Sequence, residues 1–121
     1  MRPILIAATL MFVASAKLHS TEALIFDGGG YNIQILVGYT DQPVVAEVRF
    51  TPPGAKDWVN LPRDLFRIEK LDFKKRVLVM RFANEKNDPA LPGPFSLSVK
   101  EENAVLSIGG KQIRSTLDWE I

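Results

Sequence analysis

A chain of 121 residues, with 15 lysines and arginines against 14 aspartates and glutamates and no cysteine, has the size of a single domain. Its charge gives no bias toward nucleic acid or an anionic membrane. Without thiols it can form neither disulfides nor thiolate metal sites and cannot run thiol catalysis, and one histidine, His19, is poor material for a triad or a zinc site.

The chain opens with the pattern of a cleavable export signal over residues 1–16. Met1 and Arg2 give a short cationic start, Ile4 to Val13 an uncharged apolar run, and Ala14-Ser15-Ala16 the small-x-small motif that a signal peptidase accepts. The apolar run falls short of the roughly 20 residues that span a bilayer as a helix, so cleavage is favoured over a retained anchor. Loss of Arg2 would bring the basic residues level with the acidic ones and leave His19 close to the new terminus. No cysteine is present to carry a lipid, and no Asn-x-Ser/Thr acceptor site occurs. A periplasmic or secreted location follows as the expectation, with residues 17–121 forming one domain and no stable membrane insertion after cleavage.

Period-two alternation then runs through the chain, the pattern of strands with one buried face. Glu22 to Phe26 leads into the turn Asp27-Gly28-Gly29-Gly30. Tyr31, Ile33, Ile35, Val37 and Tyr39 share one face, opposite Asn32, Gln34, Leu36 and Gly38. Val44, Ala46, Val48 and Phe50 continue the pattern, with Glu47 and Arg49 facing away. Leu65 to Leu71 fits either a strand or, with Leu61, one face of a short helix; its strand neighbours favour strand. Arg76 to Phe82 is apolar on both faces and reads as a central strand. Phe95, Leu97 and Val99 alternate with Ser96, Ser98 and Lys100. Ala104 to Ile108 joins Ile113 to Ile121 through Gly109-Gly110, which suits a primed hairpin turn. About eight short strands predict an all-β fold, an antiparallel β-sandwich with a small closed β-barrel as the alternative. Thr51 to Leu61 and Asn84 to Pro94 are long enough to cross between two sheets. Most strands are too short for an outer-membrane barrel, whose strands need about 9–11 residues.

Catalytic patterns are weak throughout. Ser98 and Lys100 share a strand face, but a solvated outer face accounts for them. Asp118 and Glu120, and Glu101 and Glu102, read as solubilising charge. The Asp27-Gly28-Gly29-Gly30 run lacks a following helix to present to phosphate. These residues imply no enzyme, no cofactor and no metal.

Binding features remain. From Arg63 to Arg81 seven basic residues, Arg63, Arg67, Lys70, Lys74, Lys75, Arg76 and Arg81, face three acidic ones, Asp64, Glu69 and Asp72. Solubility and protection against aggregation account for such a segment; steering toward an acidic partner is the functional reading. Nucleic acid is disfavoured by the expected export and by the zero net charge of the exported form. Two proline-rich loops, Thr51 to Trp58 and Asn84 to Pro94, have few backbone states and lose little entropy on docking, although proline also simply ends strands. Trp58 is an interface or sugar-stacking anchor if exposed, as is Tyr39, whereas Trp119 alternates with core residues. The candidate site is therefore Trp58, Lys56, Pro53, Arg63, Arg67, Lys70, Lys74, Lys75 and Pro92. The expected function is an exported, non-catalytic protein-binding domain, an inhibitor or immunity-type factor of an envelope or secreted enzyme. A carbohydrate or small-ligand module, and a structural subunit donating its last strand to a surface assembly, are the alternatives. Sequence assigns no oligomeric state.

Overall fold

Nine strands form from the alternating segments, in a computed structural model that describes residues 22–39 and 43–120. The export signal over residues 1–16, His19 and Ile121 lie outside the described residues. The strands are β1 (Glu22–Gly28), β2 (Tyr31–Tyr39), β3 (Pro43–Thr51), β4 (Val59–Asn60), β5 (Phe66–Asp72), β6 (Val77–Phe82), β7 (Phe95–Lys100), β8 (Asn103–Ile108) and β9 (Lys111–Glu120). A 3-10 turn at Arg63–Leu65 precedes β5.

All belong to one antiparallel sheet with the order β4-β3-β2-β1-β9-β8-β7-β6-β5. Each neighbour is the next or previous strand in the chain, except that β1 pairs with β9 in the middle. Because every adjacent pair is antiparallel, β4 and β5 run in the same direction. They are the two edge strands: β4 hydrogen-bonds to β3, β5 to β6, and residues 61–65 lead from one edge to the other. The result is one antiparallel sheet of nine strands curled into a half-barrel. The expected all-β antiparallel fold is thus observed, with its strands in a single continuous sheet.

The curl has a direct measure. Phe50 on β3 and Phe95 on β7 stack with ring centroids 5.2 Å apart. Five sheet steps separate those strands, about 24 Å if the sheet were flat. Phe95 also stacks on Phe82 at 5.4 Å, so a row of rings fills the concave side. Phe26, Phe50 and Phe82 are among the fully buried side chains, and each contributes roughly 1.5–3 kcal/mol by leaving water. Trp119 is buried, as its alternation predicts; its Nε1–H donates to the Glu101 carbonyl at 2.6 Å, and its ring meets Phe73 edge-on. Among the described residues no polar or charged side chain is buried. Any polar chemistry of these residues therefore resides at the ends and on the outer face.

Local departures from the simple pattern have identifiable causes. On β3 the buried residue is Val45, while Val44 is 43% exposed and Ala46 is also exposed. The register passes from Leu36↔Glu47 to Val37↔Val45, leaving Ala46 unpaired in a β-bulge. One extra residue reverses the phase of everything before it, which corrects the expected inward set. Between Leu61 and Leu71 both readings are partly realised: the 3-10 turn buries Leu65, and β5 follows. The loops after β3 and β6 join hydrogen-bonded neighbours and do not cross between sheets. Gly109 and Gly110, with φ of 59° and 78°, make the expected primed turn. β9 is paired on both edges, to β1 and to β8, so it is not a spare strand for donation.

Candidate functional site

Strand direction assigns each loop to an end of the half-barrel. The β1–β2 turn, the β3–β4 loop, the β6–β7 loop and the β8–β9 turn share one end; the β5–β6 and β7–β8 turns share the other. Both proline-rich loops consequently meet on one rim.

The β3–β4 loop starts with a tight turn in which the Ala55 N–H donates to the Pro52 carbonyl at 3.2 Å. Pro53 supplies the fixed φ of the first central position and Gly54, at φ 81°, the positive φ of the second, the residue order of a type II turn. Pro53 in turn lies against the β1–β2 turn: a Cβ on Gly30, whose φ is 86°, would come within 3.0 Å of the Pro53 Cβ. The backbone of one turn thus supports the loop of the next.

The β6–β7 loop is organised by Asn84. Its Nδ2 donates to the carbonyls of Asp88 at 2.9 Å and Pro92 at 3.1 Å, while its Oδ1 accepts from the Asp88 N–H at 3.0 Å. Asp88 continues the chain of bonds, its Oδ1 accepting from the Ala90 N–H at 2.9 Å, and Asn87 takes the left-handed conformation at φ 52°. One amide side chain therefore spans the loop and satisfies backbone groups that would otherwise need water. Leu91 turns inward and packs on the core. Between the two loops lies a cleft of about 170 Å³ lined by Phe50, Pro52, Val59, Pro89, Ala90, Leu91 and Pro92.

Beside the rim, on the outer face of β3, Trp58 is 50% exposed. The Arg49 guanidinium sits 4.6 Å from the centroid of its ring, and Arg49 is also ion-paired with Glu47. The indole is held by a cation–π contact while much of its surface faces solvent. Lys56 and Asp57 are exposed next to it. An ion pair between Lys86 and Asp64 at 3.5 Å links the β6–β7 loop to the 3-10 turn. There the Arg63 guanidinium lies over the Phe66 ring at 5.1 Å.

Trp58, Lys56 and Pro53 thus lie in the β3–β4 loop, and Pro92 in the β6–β7 loop at the same end, where it lines the cleft opposite Pro52. Arg63 and Arg67 lie at the same end but along the β5 edge; Arg67 faces Arg81 across the strands, and both line a cleft of about 270 Å³ with Asp64 and Glu85. Lys70 stands further down β5. Lys74 and Lys75 occupy the β5–β6 turn at the opposite end, where the Lys75 N–H donates to Asp72 Oδ1 at 3.0 Å and Arg76 has φ 55°. They do not join Trp58. Tyr39 ends β2, outside the rim strands' shared end. The sequence reading missed Asn84, Arg49 and Leu91. Asn84-Glu85-Lys86-Asn87-Asp88-Pro89 carried the available signal, since Asn and Asp before proline favour side-chain-closed turns.

No protein-family model, no curated protein and no solved structure matches this chain.

Proposed function

We propose that the protein is an exported, non-catalytic domain that binds another protein, as an inhibitor or immunity-type factor of an envelope or secreted enzyme, through the rim formed by Trp58, Lys56, Pro53 and Pro92. The observation that carries this reading is the convergence of two pre-ordered loops beside a half-exposed tryptophan. A loop already fixed by Pro53 and by the Asn84 bonds loses little freedom on docking, a saving of about 0.5–1.5 kcal/mol for each side chain that need not be immobilised. Tryptophan and arginine are the residues that most often dominate binding energy, and here they are in contact. The apolar interior supports placing function on this outer surface. Export rests on the leader-like residues 1–16, and cysteine's absence accords with a fold held by packing alone.

The test has two parts. N-terminal sequencing of the protein recovered from the periplasm or medium should begin at Lys17; retention of Met1 would remove the export premise. Immobilised protein should capture a defined partner from envelope or secreted fractions, lose it with Trp58→Ala, and keep it with Lys74→Glu/Lys75→Glu at the far end. A partner insensitive to Trp58→Ala, or none at all, defeats the rim assignment. The exposed indole also favours a second reading, a carbohydrate module in which Trp58 stacks on a sugar by its free surface. Glycan-array binding abolished by Trp58→Ala, with no protein captured, would select it.

A further inference from the structure

Among the described residues β5 ends the sheet: it is hydrogen-bonded to β6 and to no second strand. Its outer edge therefore presents backbone donors and acceptors in a row. Residues 66–72 read Phe-Arg-Ile-Glu-Lys-Leu-Asp. Laid antiparallel on a copy of itself with Glu69 opposite Lys70, the strand meets its complement within β5: Arg67 faces Asp72, and Ile68 faces Leu71.

In a regular strand that register would fail, because an odd offset sets facing residues on opposite sides of the sheet. The bulge in β5 removes the conflict. Its pairing passes from Ile68↔Met80 to Lys70↔Val79, so Glu69 is the inserted residue. Before it, Phe66 and Ile68 lie opposite the buried Phe82 and Met80; after it, Leu71 lies opposite the buried Leu78. Arg67, Lys70 and Asp72 lie opposite Arg81, Val79 and Val77 on the outer face, which Glu69 shares through its bond to Arg81 Nε at 3.0 Å. The complementary pairs thus fall on matching faces because the bulge sits between them.

We infer that β5 is a self-docking edge, at which a second copy of this chain adds antiparallel about a two-fold axis at the Glu69/Lys70 pairs. Ile68 and Leu71 are only partly buried at the margin of the core, leaving apolar surface for the second copy to cover. Edge charges and bulges ordinarily block pairing; here they select one register. A shift by two residues one way sets Glu69 against Asp72, and the other way Arg67 against Lys70, like charges in each case.

Sedimentation velocity over a concentration series tests this. The wild-type protein should pass from monomer to dimer, with amide exchange at residues 66–72 slowing as the dimer fills. Arg67→Asp and Lys70→Glu should each weaken dimerisation at least about tenfold, since each reverses two symmetry-related pairs. Both side chains are exposed, and circular dichroism checks that the variants fold. Mixing Arg67→Asp with Asp72→Arg should restore a heterodimer that neither variant forms with itself. A monomer at every concentration, a dimer unaffected by both charge reversals, or a dimer whose β5 amides gain no protection overturns the inference.

Discussion

The Arg49 guanidinium lies 4.6 Å from the Trp58 ring centroid on the outer face of β3, and neither group is needed by the core. Trp58→Ala is accordingly expected to leave stability within about 0.5 kcal/mol of wild type. Trp119→Ala, which empties a buried site and removes the bond to the Glu101 carbonyl, should cost about 3–5 kcal/mol. Urea denaturation of the two variants measures the contrast. Comparable losses would mean that Trp58 is structural.

Asn84 is the brace of the β6–β7 loop. Asn84→Ala removes its three side-chain bonds, to the Asp88 N–H and to the carbonyls of Asp88 and Pro92, and should destabilise the protein by about 1–2 kcal/mol, less than three full hydrogen bonds because the loop is partly solvated. Exchange of the Asp88 amide should accelerate while amides of β2 keep their protection. Unchanged exchange at Asp88 would mean that the prolines alone order the loop.

The stack of Phe50 on Phe95 joins strands that share no hydrogen bonds. Either residue changed to alanine should cost about 3–5 kcal/mol. The double variant should lose less than the sum, by about 0.5–1.5 kcal/mol. Strict additivity in denaturant titrations would mean that the rings do not meet.

Val44 and Val45 separate two phases of β3. Val45→Ser, at a buried position, should cost about 1–3 kcal/mol. Val44→Ser should change stability by about 0.5 kcal/mol or less. The reverse ranking in thermal melts would place the bulge elsewhere.

These cases also mark what the sequence could express. In β2, β7 and β9 no bulge interrupts the period of two, so inward residues such as Ile35, Leu97 and Leu117 are legible from alternation alone. In β3 the phase depends on where the partner strand omits a residue, a property of the pair that β3 by itself does not encode. Trp58 and the two loops were visible as residue types, but their meeting on one rim follows from strand direction. By the same geometry Lys74 and Lys75, one strand beyond Trp58 in the meander, fall at the other end. Asn84 is the least legible from sequence, because an amide gains its role only when a loop folds back around it. The two-residue strand β4 was too short to stand out from its loop.

The crossing from β4 to β5 divides the molecule in two. All strand pairings except β1 with β9 join chain neighbours, so residues 22–61 and 66–120 are each a self-contained meander tethered by the short crossing between them. Beyond that tether the halves meet along the β1–β9 ladder from Ala23↔Glu120 to Asp27↔Thr116, at the Ser115 hydroxyl that donates to the Asp27 carbonyl, at the cleft between the two proline-rich loops and through the rings stacked across the concave side. A chain cut within residues 62–65 would keep every strand pairing, its two fragments joined edge to edge like the halves of a heterodimer.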